Sequence, residues 1–153
     1  MTTVALIVAA GRGERFGSDT PKQYLSLGGQ PLLRHCVTKL ACHPAITGVR
    51  VVFDPSDLVH YGAAVDGVAV MDPVQGGASR QESVRLGLES LADLKPDNVL
   101  IHDGARPFCE SGLVDRVLGG LASHDGAIAA LPVVDTLKRA DDRDGVSETL
   151  DRS

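Results

Sequence analysis

Val4-Ala5-Leu6-Ile7-Val8-Ala9-Ala10-Gly11-Arg12-Gly13-Glu14-Arg15-Phe16-Gly17, followed closely by Pro21-Lys22-Gln23-Tyr24-Leu25, decides the fold. Val4 to Val8 is an unbroken apolar run without alternation, which predicts a central parallel strand covered on both faces. It runs straight into a glycine-rich loop. Gly11 and Gly13 let the backbone turn without Cβ clashes, so that successive N–H groups can converge on an anion. Arg12, Arg15 and Lys22 add three cations close by, more than a structural turn needs. The loop is suited to polyphosphate.

Two familiar phosphate loops are excluded. The dinucleotide fingerprint G-x-G-x-x-G needs glycine where Phe16 stands, and its ribose-binding acid should follow about 20 residues later. The nearest acid after a second strand is Asp54, much too far on. The mononucleotide loop G-x-x-x-x-G-K-[ST] needs a Gly-Lys pair, and the sequence has none. What remains, A-A-G-x-G-x-R-[FM] with P-K-Q beyond it, resembles the signature of nucleotidyltransferases that attach a nucleotide to a phosphorylated small molecule. The ending Pro21-Lys22-Gln23-Tyr24-Leu25 narrows the resemblance to the cytidylyltransferases of the methylerythritol phosphate route to isoprenoids.

Length and composition agree with such a protein. A chain of 153 residues supports one domain with a moderate core. Hydrophobic residues make up 43%, and no segment has the ~18 consecutive apolar residues of a membrane span. A formal charge of −5 gives no global basic field, and aromatics at 3% offer little stacking surface, so neither nucleic acid nor membrane is expected as a partner. Cys36, Cys42 and Cys109 are odd in number and lack C-x-x-C spacing, which points to reduced thiols rather than disulfides or zinc. The first strand begins too close to Met1 for a cleavable signal, and a cytoplasmic location is expected.

Further along, Leu32, Leu33, Cys36, Val37 and Leu40 recur at helical spacing until Pro44, a first crossover helix. Val49 to Phe53 predicts a strand, Asp57 to Ala64 a weak helix, and Val68 to Met71 a third strand. Gly76-Gly77-Ala78-Ser79-Arg80-Gln81-Glu82-Ser83-Val84 repeats the theme of a glycine loop feeding a helix. Ser79 with Glu82 forms a capping box, and Val84, Leu88 and Leu91 line the helix face. The bland reading is a cap, a solvated Arg80 and two turn glycines. The pattern G-G-x-x-R-x-x-S-V is also the second motif of the family, in which, by resemblance, Gly77 and Ser83 hold the cytosine and its ribose, beside Ala9, Ala10, Gly11 and Gly13 of the first loop.

Val99 to His102 predicts a fourth buried strand with Asp103-Gly104-Ala105-Arg106-Pro107 at its carboxyl end, where ligands collect in doubly wound sheets. The family version is H-D-A-A-R-P, so Gly104 departs by one methyl group, which should loosen the backbone slightly. His102 has no His or Cys partner at ligand spacing and is taken as structural. Leu113, Val114, Val117, Leu118 and Leu121 predict another amphipathic helix after the candidate cap Ser111. Ala127 to Val134 predicts a fifth strand. From Asp135 to Arg152, two short alternating runs flank Asp144-Gly145 and predict a hairpin. A lone hairpin is marginal in water, so this arm should pack on another subunit. Pro132, Val133, Asp135, Thr136 and Lys138, then Thr149 and Arg152, match the family's P-V-x-D-T-x-K and T-x-x-R.

The resemblance covers essentially the whole chain. It implies an α/β fold: a Rossmann-like, doubly wound, mostly parallel sheet of the nucleotide-diphospho-sugar transferase type, with residues 1–153 as one domain and residues 135–152 as a protruding dimerisation arm. It implies transfer of CMP from CTP to 2-C-methyl-D-erythritol 4-phosphate, with Arg15 and Lys22 stabilising the α-phosphate. Magnesium would bridge the triphosphate, with Asp103 its best protein contact, and Arg106, Thr136 and Arg152 would hold the acceptor phosphate, Arg152 reaching over from the partner subunit. The family's later Q-T-P-Q and D-N-x-K elements have no counterpart, so the chain is expected to be part of a longer one, for example a fusion with the cyclodiphosphate synthase, or a degenerate copy. Two alternatives stay open: a cytidylyltransferase for another polyol phosphate such as ribitol 5-phosphate, and a non-catalytic nucleotide-binding module.

Overall fold

The computed structural model describes residues 1–11 and 20–151. The chain divides into two compact units, Met1–Asp115 and Arg116–Ser153.

The first unit is built around β1 (Thr3–Ala9), whose residues are almost all buried. With no exposed alternate positions, the run has to be covered on both faces, as its sequence demands. β1 pairs in parallel with β4 (Gly48–Phe53) on one side and with β6 (Asn98–Asp103) on the other; β4 in turn pairs in parallel with β5 (Val74–Gln75). The order of this four-stranded sheet is β5-β4-β1-β6. The chain thus steps outward from β1 to β4 and β5, then returns across to β6, and the crevice beside β1 where the order reverses is the place where such sheets bind ligands. A short antiparallel pair, β2 (Ser26–Leu27) and β3 (Gln30–Pro31), precedes helix α1 (Leu32–Ala41). Helices α2 (Leu58–Val65) and α3 (Arg80–Glu89) complete the crossovers, and α4 (Ser111–Gly120) follows β6.

The α/β class and the parallel sheet agree with the sequence reading; several local expectations are corrected. The third strand is not at Val68–Met71 but at Val74–Gln75. Met71 N–H does reach the carbonyl of Val49, but Pro73 has no N–H with which to continue a ladder, so pairing restarts beyond it. Val99–His102 is a strand, yet β6 lies at the sheet edge among the described residues and is only half-buried, with Ile101 46% exposed. Ala127–Val134 forms no strand; Ile128 and Leu131 are exposed, and an apolar run becomes a strand only when a neighbour supplies its ladder bonds. Ser111 lies inside α4 rather than capping it, because the carbonyl of Glu110 already accepts from Leu113 and Val114.

The face of α3 is also different from the expected one. Of the expected residues Leu91 is buried, but Leu88 is exposed and Val84 half-buried, and within α3 the buried positions are Ser83 and Gly87. A Cβ on Gly87 would stand 2.7 Å from Leu6 and 2.8 Å from Val52, so the helix backbone rests directly on the side chains of β1 and β4. Small residues at i and i+4 bring a helix this close; a Val or Leu stripe would hold it off. Among the described residues no helix is long and apolar enough to cross a membrane.

In the second unit, β7 (Lys138–Ala140) and β8 (Val146–Thr149) form the expected hairpin. Asp141 Oδ1 accepts from the N–H groups of both Arg143 and Gly145 at 2.8 Å, and Asp144 takes the left-handed conformation at φ 59°. The aspartate closes the turn as a side-chain mimic of backbone, and Asp is among the few residues that tolerate a left-handed φ. Arg139 pairs with Glu148 across the strands at 3.1 Å. Leu137 and Val146 are exposed, while Leu150 is half-buried.

Candidate active site

At the carboxyl ends of the sheet strands, within Met1–Asp115, lies a cavity of about 710 Å³. Three segments supply its walls: the exit of β1 with Ala9, Ala10 and Gly11, the start of α3 and the loop before it with Gly77, Ser79 and Arg80, and the end of β6 and the turn after it with Asp103 and Arg106. Lys22 and Gln23 come in from a single 3-10 turn, Lys22–Tyr24, and Asp54 from the end of β4. Parallel strands put all these ends on one side, which is why residues far apart in sequence meet here.

Gln23 is 4% exposed, and its Nε2 donates to the carbonyls of Ala9 at 2.6 Å and Gly11 at 3.1 Å. In the second loop, Gly76 N–H bonds the carbonyl of Phe53 at 2.9 Å and Gly77 N–H bonds Ser83 Oγ at 3.1 Å. Ser83 thereby holds the glycine turn from the first turns of α3. Half of the capping box forms as expected: Ser79 Oγ accepts from Glu82 N–H at 3.1 Å. The Glu82 carboxylate reaches one residue further upstream than expected, accepting from Ala78 N–H at 2.8 Å. Every amide so engaged is one of the orphan donors of a helix start or the turn feeding it.

Asp103 sits between two guanidinium groups. Oδ1 accepts from Arg80 Nη2 at 2.7 Å, and Oδ2 lies 2.8 Å from Arg106 Nε. Burial alone would raise its carboxyl; Arg80 and Arg106 outweigh that and hold it below the usual carboxylate range, so it is ionised at neutral pH. The bridge ties the start of α3 to the end of β6 and the turn that follows it. His102 Nε2 lies 2.9 Å from the carbonyl of Arg106. A carbonyl only accepts, so this nitrogen carries the proton, and the ring fastens the turn from within. Burial pushes the His102 pKa down, with the Arg106 carbonyl acting in the opposite direction. Gly104 is more than a loosened alanine: a Cβ there would come 2.9 Å from that of Ala9 and 3.2 Å from Leu33, so the turn is drawn in against β1 and α1.

Of the residues singled out from the sequence, Ala9, Ala10, Gly11, Lys22, Gly77, Ser83, Asp103 and Arg106 all line this cavity. Gly13, Arg15 and Arg152 lie outside the described residues. Thr136 belongs to the second unit and is exposed. Sequence reasoning gave no role to Gln23, Asp54 or Arg80. The first and last stand inside the quoted motifs, so the signal was present, but only coordinates reveal what a polar side chain bonds. Each Asp103 oxygen accepts from one guanidinium and keeps a second lone pair, so a single carboxylate contact to a metal ion stays open. No group of three His, Cys, Asp or Glu converges among the described residues, however. The residues present do not fit a magnesium ion held by the protein alone.

The fold agrees with what known proteins show. Residues 3–153 match the family profile described as 2-C-methyl-D-erythritol 4-phosphate cytidylyltransferase, IspD. The chain is 58% identical over 151 residues to the bifunctional enzyme IspD/IspF of Rhodospirillum rubrum, covering 97% of this chain and 39% of that one. It is 54% identical to the enzyme of the same name from Paramagnetospirillum magneticum, covering 99% and 39%. It therefore spans about two-fifths of the length of these curated relatives. Among solved structures, a 4-diphosphocytidyl-2C-methyl-D-erythritol synthase superposes with a TM-score of 0.81 at 33% identity, covering 99% of this chain and 68% of that one. The bifunctional IspDF of Campylobacter jejuni superposes with a TM-score of 0.77 at 26% identity, covering 99% and 37%. By sequence along nearly its whole length and by fold, this chain belongs to the 2-C-methyl-D-erythritol 4-phosphate cytidylyltransferase family.

Proposed function

We propose that the protein transfers CMP from CTP to 2-C-methyl-D-erythritol 4-phosphate, giving CDP-methylerythritol and pyrophosphate. The observation that carries this reading is the convergence of Lys22, the Gly77–Ser83 turn and the Asp103–Arg106 turn on one cavity at the ends of parallel strands. The nucleophile is a phosphate that is already ionised, so no base is needed. The work left is to align two polyanions and to compensate charge that grows on the α-phosphate. Lys22, which lines the cavity beside the end of β1, meets that charge in this reading. Arg15 acts with it in this reading. Arg80 and Arg106, held apart by Asp103, offer guanidinium edges to phosphate oxygens, the geometry such forks recognise best. Thr136 and Arg152 are proposed as further contacts to the acceptor phosphate. Magnesium, in this reading, arrives on the nucleotide's own oxygens, since it keeps several waters and needs few protein ligands.

The packing also bears on the base. Ala10, Gly76 and Ser83 stand so close together that a Cβ on Gly76 would overlap that of Ala10 and lie 3.0 Å from Ser83 Oγ. Ala10 and Ser83 line the cavity, and in this reading the smaller pyrimidine sits against them and against Ala9. CTP is expected to bind in preference to ATP and GTP, and pyrophosphate release is expected with methylerythritol phosphate as acceptor; calorimetry and a release assay measure both. Equal affinity for ATP would end the cytidine assignment. Faster turnover with ribitol 5-phosphate would reassign the acceptor, and CTP binding with no turnover would make the protein a binding module.

We further propose a cytoplasmic homodimer joined through the hairpin arm. Cys36, Cys42 and Cys109 are all unpaired, which suits a reducing compartment. β7 and β8 are exposed throughout, and a two-stranded ribbon with Leu137 and Val146 in water has apolar surface and strand edges to bury. Light scattering should give twice the chain mass; a monomer at micromolar concentration would refute the arm's role.

A further inference from the structure

We propose that Gln23 is the positioning residue that sets the backbone at the exit of β1 and, through its own turn, places Lys22. The proposal rests on reading this cavity as a polyphosphate site. Gln23 is 4% exposed, and its amide donates from Nε2 to the carbonyls of Ala9 at 2.6 Å and Gly11 at 3.1 Å. A primary amide nitrogen has two N–H donors, so both are committed to the main chain.

Those two carbonyls flank Ala10 in the wall of the cavity. A carbonyl oxygen turned toward a polyanion repels it, whereas a backbone N–H turned the same way attracts it. By taking both oxygens, Gln23 fixes which polar groups of this segment are left for a ligand. Lys22 and Gln23 are successive residues of one 3-10 turn, closed by Tyr24 N–H on the Pro21 carbonyl at 2.9 Å. Anchoring Gln23 to the strand end therefore also fixes where the Lys22 backbone stands. No other residue type of that length supplies two neutral donors: glutamate, ionised, only accepts, and methionine matches the shape but donates nothing.

The test uses pyrophosphate as probe, with the wild-type protein, Gln23→Glu and Gln23→Met, each checked by circular dichroism and thermal melting. Affinity is measured by calorimetry at pH 6 and pH 8 and expressed relative to wild type at the same pH. Leaving buried carbonyls without donors should weaken binding by roughly 10–100-fold in both variants at pH 8. The Gln23→Glu deficit should shrink at pH 6, because a protonated carboxyl regains one O–H donor and burial beside two carbonyls favours that form. The Gln23→Met deficit should be the same at both. A purely structural role would weaken the melt without this split. Wild-type affinity in a folded Gln23→Met protein would overturn the proposal, as would a Gln23→Glu deficit that ignores pH, or a wild-type protein that binds no pyrophosphate. If pyrophosphate binds and the variants behave as expected but CTP is not turned over, the proposed activity fails and the role of Gln23 stands.

Discussion

Replacing Lys22 by alanine is expected to lower kcat by roughly 10²–10³-fold, the range seen when a group aimed at developing charge is removed. The proposed reaction leaves little covalent chemistry for the protein, so its rate depends on how well fixed positive charge meets an α-phosphate whose oxygens gain negative charge. Lys22 lines the cavity from a turn that Gln23 locks to the end of β1. A charge held in place costs no reorganisation when the transition state forms, and this makes it worth more there than in the ground state. CTP affinity should consequently fall far less than kcat. Single-turnover kinetics beside equilibrium binding separate the two. A Lys22→Ala enzyme with wild-type kcat and a raised KM would show that the lysine serves ground-state binding alone.

Gly76→Ala is expected to reduce CTP affinity or stability by about 1–3 kcal/mol, on the order of 10–100-fold in the corresponding constant, although only one methyl group is added. The new Cβ would overlap that of Ala10 and approach Ser83 Oγ to 3.0 Å. Neither neighbour can yield cheaply. Ala10 has no further side-chain torsion to turn, and Ser83 is engaged with the Gly77 N–H. The glycine itself is pinned by its N–H to the carbonyl of Phe53 at 2.9 Å. The strain must therefore go into the wall between the two loops, and a melt together with CTP titration will find it. Unchanged melting and unchanged affinity would mean that the loops have slack that the packing does not reveal.

What the sequence disclosed and what it hid follow from how each signal is encoded. β1 was legible because a strand buried on both faces has nowhere to put a polar residue, and the run Val4–Val8 has none. The second glycine loop was legible because Ser79 and Glu82 mark a helix start by their spacing. The position of β5 was not, since Val68–Met71 is as apolar as a strand and the deciding fact was the missing N–H of Pro73. Ala127–Val134 misled for a related reason, as hydrophobicity favours burial but ladder partners make a strand. The seat of α3 was hidden because its contact stripe is serine and glycine, which carry no apolar signature. In the site, glycines and cations announced themselves through motif spacing, whereas the roles of Gln23 and Arg80 depend on partners 12 to 23 residues away and appear only as hydrogen bonds.

The close seat of α3 has a consequence for how this protein can change over time. Its first turns carry Ser83, which fastens the glycine loop, and Gly87, one turn on, lies against Leu6 and Val52 with no side chain between. In this protein the interior and the pocket share one rigid spacer of a single helical turn. A bulkier residue at Leu6 or Val52 would displace the pocket wall as well as the core, so substitutions at these interior positions are filtered by ligand binding as well as by folding. The permitted sequence space at the centre of the sheet is correspondingly narrower than burial alone would set.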